Sequence, residues 1–339
     1  MRIFRLFSPA LFLLPLFFCA AGDTGQARAA QKAEFELVGG INLDTAHPYY
    51  LGMVKFAELM EQKSDGRITM KVFPSAQLGN ERDVTEALQL GSVDVTLISA
   101  APLSSFTGDF QIFDFPYIFS GREHAYAVLD GEVGRTMLRN LEQHRLIGLE
   151  LMENGFYWIS NNKGITHPAD MAGVKIRSLE NHMQVDAYNV IGANGIAMAF
   201  SEVFTALQNS TLDATGLTPS VIGSQKMYTV QKYLADTEHF YAAAPLLMSK
   251  ATYDGMPPEL QKVVRQAAAE ARDYQREQSK KFDEEKIKEM VEYGTKIIKV
   301  NKKEWVDAMV PPIHKKYVGP GKLIDAALYN KVKSMDPEK

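Results

Sequence analysis

The chain has 339 residues, 46% of them hydrophobic, and sets 37 basic side chains against 41 acidic ones for a formal charge of −4. A chain of this length buries an adequate core without disulfides, and its one cysteine, Cys19, excludes a disulfide framework and paired-cysteine metal sites. The mildly acidic balance gives no support to nucleic-acid binding.

Residues 1–29 read as a secretory signal peptide. Arg2 and Arg5 make a positive start, Leu11 to Phe18 is an apolar run too short to span a bilayer, and Ala27-Arg28-Ala29 offers an A-x-A cleavage site. Phe17 and Phe18 ahead of Cys19 argue against a lipid-modified cysteine, which usually follows small residues. Cleavage after Ala29 removes three basic residues and one acidic one, so the formal charge moves from −4 to −6, and Cys19 goes too. The mature chain of about 310 residues is expected to be exported and to form two domains or one domain with two lobes. No later apolar run reaches transmembrane length.

Glu34 to Gly40 reads as a strand and Tyr49 to Lys63 as a helix, with Leu51, Val54, Phe56, Ala57 and Met60 at helical spacing. Arg67 to Phe73 alternates as a second strand closed by Pro74. Glu81 to Leu90 is a helix stopped by Gly91, and Val93 to Ile98 a third strand. This β-α-β-α-β order predicts a parallel sheet with helices on its faces. The pattern recurs with strands at Glu150 to Asn161, Lys175 to Ser178 and Leu212 to Thr215, a helix over Val185 to Ile191, and another running to Asn209 with Ser201 as its N-cap. No Gly/Ser linker separates the two units, so several ordered crossings should join the lobes. From Pro257 to Tyr293 an apolar stripe marks one long helix or two with a kink near Gln278; packed across both lobes, it would act as a brace.

Motifs for chemistry are scarce. There is no GxSxG, HExxH or P-loop, and no GxGxxG after a strand. The seven histidines are scattered, with no two at i, i+4 on a helix. Together with export and a two-lobed α/β plan, this favours a binding protein, with no enzyme activity and no cofactor. The residue that stands out is Arg177, in Gly173 to Asn181, GVKIRSLEN. Ligands of α/β lobes sit beyond the carboxyl ends of strands, and a guanidinium fork matches a carboxylate or sulfonate there. An ion pair with Glu180 or another acid explains the arginine equally well on periodicity alone.

Gly173 to Thr215, containing MAFSEV, resembles the DctP-type substrate-binding proteins of tripartite ATP-independent periplasmic (TRAP) transporters. So do KVFPSAQLGNERDVTEALQLGSVDVTLIS (Lys71 to Ser99), FDFPYIF (Phe113 to Phe119) and SNNKGITHPADMAGVKIR (Ser160 to Arg177). The similarity covers essentially the whole mature chain. It implies a two-lobed periplasmic binding protein of the α/β class, each lobe a β-sheet flanked by helices, with a long helix bracing both. Lobe I would take 30–154 plus about 243–282, and lobe II 155–242 plus about 283–339. Such a receptor is a monomer that closes on a small organic anion and delivers it to the small and large membrane subunits of a permease driven by a sodium or proton gradient. A sensor subunit for a membrane signalling kinase is the alternative.

The resemblance implies that Arg177 binds the substrate carboxylate, that Phe200 lines the pocket, and that Asn42, Glu81 and Ser99 face it from the first lobe. Two positions depart from the common pattern: Tyr157 replaces a second arginine, and Leu217 an asparagine. These losses suggest an acid with an apolar part, or a small anion needing one clamp, over a hydroxyl-rich sugar acid. Tyr157 is favoured as a pocket residue over Trp158, because alternate residues on a strand face opposite ways. His47 either donates to the anion or caps the following helix, Asn181 is preferred to Glu180 as a contact, and Glu81 also suits the first turn of a helix.

Overall fold

The computed structural model describes residues 32–105 and 107–337. The expected signal peptide and Cys19 lie outside the described residues.

The opening alternation forms a parallel unit. Strands β1 (Phe35–Gly40), β2 (Ile68–Phe73) and β3 (Val95–Leu97) run parallel with β1 in the middle, and α1 (Pro48–Lys63) and α2 (Glu81–Leu90) make the crossovers. His47 caps α1 and Pro48 takes its first position, where a missing N–H costs nothing. Asn80 and Asp83 form a reciprocal capping box on α2, and Gly91 ends it at φ 77°. Two 3₁₀ segments, Ala101–Ser105 and Gly108–Asp114, lead to α3 (Arg122–Asp130) and α4 (Glu132–Asn140).

The single strand read over Glu150 to Asn161 is two strands in two sheets. β4 (Leu146–Phe156) belongs to the first sheet and β5 (Trp158–Asn161) to the second, so the chain changes sheet at Tyr157. Gly155, at φ 93°, sits at a register irregularity within β4, two residues before that crossing. A Cβ there would lie 2.7 Å from Asp283 Oδ2 and 2.9 Å from Arg122 Nη2, so both the backbone and the space require glycine.

The second unit continues with β6 (Lys175–Ser178), α5 (His182–Asn189), β7 (Asn194–Ala197), α6 (Phe200–Gln208), β8 (Ala214–Leu217), α7 (Pro219–Ser224) and β9 (Tyr233–Ala235). Helix α5 starts earlier than its apolar spacing suggests because Asn181 caps it. Ser201 is not the cap of α6: the helix begins at Phe200 after Ala199, and Ser201 lies inside the first turn. The chain then returns to the first sheet as β10 (Tyr241–Ser249), followed by α8 (Lys250–Asp254), α9 (Pro258–Tyr293), β11 (Lys296–Ile298), α10 (Lys302–Tyr317) and α11 (Ala326–Ser334).

The sheets run β2-β1-β3-β10-β4 and β11-β9-β5-β8-β6-β7. Both are mixed, because β10 is antiparallel to β3 and β4, and β5 is antiparallel to β8 and β9. Three ordered crossings join them: at Tyr157, between β9 and β10, and along α9. Helix α9 is continuous over 36 residues, roughly 54 Å at 1.5 Å per residue. It packs on α1 and β4 beside the first sheet and on α7, which follows β8 of the second. Gln275 pins it to β4, accepting from Glu153 N at 3.1 Å and donating to Glu153 O at 2.6 Å. The C-terminal α11 rests on α3 and α4, through His124 to Val332 O at 2.7 Å and Lys331 to Glu132 at 2.7 Å.

Candidate functional site

Arg177 is the third residue of β6, between β8 and β7 near the carboxyl end of the strand. Its side chain is 1% exposed. Nε donates to Met198 O at 3.1 Å, just past the parallel end of β7, and this bond fixes the direction of the guanidinium. Nη1 is buried without a hydrogen-bond partner. Burial works against its charge, and Tyr157, Glu81, Tyr188 and Glu180 around it work the other way.

Arg177 borders two neighbouring chambers that share part of their walls. The outer one has a volume of about 340 Å³, with Asp44, Asn80, Arg82, Glu180, Ser201 and Gln225 among its walls. The inner one, about 30 Å³, is lined by Leu43, Tyr49, Ser99, Asn154, Tyr157, Leu217 and Val221. Asn42, Glu81, Arg177, Leu179 and Phe200 border both. Residues following β1 and opening α2 thus meet residues following β6 and opening α6, as expected of a cleft between two sheets at strand ends.

Glu81 is the first residue of α2 and also faces the cleft. Ser99 holds it, donating N–H to Oε1 at 2.8 Å and the hydroxyl to Oε2 at 2.6 Å. Burial raises its carboxyl above the usual range against these bonds and the pull of Arg177. Tyr157 is 5% exposed, and burial pushes its phenol upward, so the ring meets the chamber as a neutral hydrogen-bonding group. Leu217 closes the end of β8 opposite Trp158.

Seven of the nine residues singled out by sequence therefore border the chambers: Arg177, Phe200, Glu81 and Asn42 both of them, Tyr157, Ser99 and Leu217 the inner one. The other two are used elsewhere. His47 is wholly buried and accepts the Tyr49 N–H on Nδ1 at 3.1 Å, the capping role; burial drops its imidazole to about 3, so the ring is neutral. Asn181 caps α5 by accepting from Met183 N and Gln184 N, and its amide donates to Asp114 Oδ2 at 2.8 Å and Ser104 Oγ at 3.0 Å. With its groups occupied it does not reach the chambers, whereas Glu180 borders the outer one.

Sequence reasoning passed over Tyr49, Asp44 and Gln225. Asn42 was found after β1, and Asp44 follows it beyond the same strand end, so that placement was available as a signal. Tyr49 was read only as the start of a helix. The outer wall sets polar side chains such as Asp44, Asn80 and Gln225 among a larger apolar surface, while Tyr157 and Leu217 line the inner chamber alone; those outer polar groups come from loops that pattern does not place.

Among the described residues no group of three or more His, Cys, Asp or Glu is arranged to hold a metal, and no helix is long and apolar enough to cross a membrane.

Two lobes, strand-end loops converging on a buried arginine, and one helix bracing both halves define a class of solute-binding protein. Residues 39–319 match the family model DctP, bacterial extracellular solute-binding protein, family 7. The chain belongs to that family, which consists of transport binding proteins and is not an enzyme family. It is 36% identical over 245 residues to the C4-dicarboxylate-binding periplasmic protein DctP of Rhodobacter capsulatus, covering 72% of this chain and 74% of that one. Its fold matches the crystal structure of a sugar acid binding protein from Advenella mimigardefordensis in complex with galactonate. That match has a TM-score of 0.84 and 30% identity over 90% of this chain and 98% of the other. A TRAP periplasmic solute-binding protein from Polaromonas sp. JS666 bound to D-erythronate matches at TM-score 0.84 and 32% identity, over 88% and 98%.

Proposed function

We propose that this chain is a periplasmic receptor that captures a small organic acid in its cleft and hands it to a TRAP-type permease. The observation that carries the reading is the buried Arg177 Nη1, a cationic donor with no partner, facing a chamber between two lobes. A buried charge is retained only when something pairs with it. An entering carboxylate or sulfonate does so, each charge-assisted bond contributing roughly 1.5–3 kcal/mol.

Arg177 and Phe200 belong to the second lobe, and Asn42, Glu81 and Ser99 to the first. An anion docks on Arg177 in the open form and gains the opposite contacts on closure. Its differential affinity for the closed form drives that closure. Tyr157 and Leu217 shape the inner end. The lobes divide near 154/155, 242/243 and 282/283, and the receptor works as a monomer beside the two membrane subunits. The relatives, whose ligands include C4-dicarboxylates, galactonate and D-erythronate, support an organic acid as cargo.

Mass spectrometry of small molecules released by denaturing the purified protein tests this, with calorimetric titration of organic acids where the site comes out empty. A bound carboxylate or sulfonate, or a titrated acid, is the expected result. A polyol, or an empty site that no acid fills, overturns the reading.

A further inference from the structure

Two sets of side-chain hydrogen bonds pass directly from one lobe to the other beside the cleft. The first joins two residues of the outer chamber: Gln225 donates from Nε2 to Asp44 Oδ2 at 2.7 Å, across 181 positions of sequence. Each end is fixed within its own lobe. Asp44 follows β1, and its other oxygen accepts from Ala46 N at 2.8 Å in the turn that leads to α1. Gln225 ends α7, its N–H donating to Val221 O at 3.0 Å. Gly223 seats that helix so closely on α9 that a Cβ there would lie 2.6 Å from Lys286 Cβ. The bond is made by protein groups alone, so it favours closure whatever the ligand.

The second set lies past the inner end. Asp114 of the first lobe accepts from Asn181 Nδ2 at 2.8 Å and from Gln184 Nε2 at 2.7 Å. A small void bordered by Asp114 and Gln184 shares Ser99, Tyr157 and Leu179 with the inner chamber. Tyr117 pins the same stretch to the crossing between β9 and β10, with its N–H on His239 O at 2.9 Å and its hydroxyl on Thr237 O at 2.9 Å.

The two sets differ in their access to water. Asp44 and Gln225 are half-buried, so water takes over their bonding when they part and the net cost of parting is small. Asp114, Asn181 and Gln184 are at most 4% exposed, and parting them strands polar groups where water does not reach. The first set is therefore the one that breaks readily, and the second the one that stays.

We propose that Asp44 and Gln225 form a latch that breaks and remakes as the cleft opens and closes about a pivot at Asp114, Asn181 and Gln184. This rests on the proposed capture of an organic acid and adds what holds the cleft shut and sets the rate of release. One charge-assisted bond in a half-buried place corresponds to about a tenfold shift between closed and open forms.

Spin labels on the two lobes test it. Cys19, the one native cysteine, lies in the expected signal peptide, so Leu90→Cys on α2 and Thr205→Cys on α6, both exposed, place one label on each lobe of the mature chain. Pulsed-EPR distances in the ligand-free protein should show Asp44→Ala and Gln225→Ala each raising the ratio of open to closed forms about tenfold, and the double variant no more than either alone. Stopped-flow fluorescence with D-erythronate and D-galactonate should show release about tenfold faster in the alanine variants and association changed by less than about twofold. Unchanged distances and release rates in the folded variants overturn the latch. Effects that multiply in the double variant overturn it too, because they mark two separate contacts. If the distances shift and neither acid binds, the latch stands and the capture of an organic acid falls. If an acid binds and neither distances nor rates change, capture stands without the latch.

Discussion

Asn181 donates its amide to Asp114 Oδ2 at 2.8 Å, a buried bond between the two halves of the molecule. Asp114 ends the 3₁₀ segment that packs on β10 of the first sheet, and Asn181 caps α5, which packs on β6 and β7 of the second. Gln184, one turn into α5, donates to the other oxygen at 2.7 Å. Only one strand residue, Ser178, and two loop residues separate Asn181 from Arg177, so the clamp and this contact move together.

That contact should make stability depend on pH. Burial raises the Asp114 carboxyl to about 7. The folded state therefore holds a proton that the unfolded chain, with an ordinary value near 4, has released. The stabilisation is complete at low pH and declines as pH rises to about 7. Relative to Asp114→Asn, which keeps a neutral group throughout, the wild-type protein should lose about 1–3 kcal/mol between pH 5 and 8. Urea denaturation across that range checks it. A constant difference between the two would show that Asp114 is not the titrating group.

Arg177→Ala should abolish most ligand affinity while leaving the fold intact. Losing one or two charge-assisted bonds costs about a hundredfold or more. The arginine carries a desolvation cost in the empty cleft, so its removal should leave the melting temperature unchanged or slightly raised. Calorimetry with the natural ligand and a thermal melt separate the two effects. Full affinity in the variant would remove Arg177 from the binding site.

Arg122 holds two buried carboxylates at the crossing between sheets. It donates to Glu153 at 3.1 Å and to Asp283 at 2.5 Å, while Asp283 accepts from Ser220 N at 3.1 Å and Glu153 from the Tyr241 hydroxyl at 2.8 Å. Arg122→Met leaves both acids uncompensated and should destabilise the protein by about 3–5 kcal/mol. The midpoint of a denaturant titration reads this directly, and a change within 1 kcal/mol would mean that water replaces the arginine.

Gly155→Ala tests the irregularity in β4 just before the chain changes sheet. At φ 93°, and with Asp283 and Arg122 closer than a Cβ tolerates, the substitution should lower the melting temperature by several degrees. An unchanged melt would show that β4 relaxes freely there.

The elements legible in the sequence were those set by local rules. The alternation Ile68–Phe73, the cap and glycine stop around Glu81–Leu90, and the apolar stripe of Pro258–Tyr293 each express a period or an end signal, and each forms. The arginine and the MAFSEV phenylalanine were legible because a family pattern marks them, and both border the chambers. Tyr157 and Trp158 show where local reading stops. One stretch read as a single strand became two strands in separate sheets, because β4 pairs with β10 and β5 with β8 and β9, partners more than 50 positions away in the chain.

By itself, then, the sequence determined the α/β alternation and the helical stripe from Pro257 to Tyr293, because those rest on spacing and caps within one segment, and it marked Arg177 through the family pattern; that the stripe forms one unbroken helix was decided by the folded chain. Only the tertiary structure decided which polar groups are spent and which remain free. Asn181 and Arg177 look equally able to bind an anion. Asn181 is consumed by a helix cap and by Asp114, whereas Arg177 Nη1 is left without a partner beside a cavity. Hydrogen-bond satisfaction depends on partners distant in sequence, so it becomes visible only once the chain is folded.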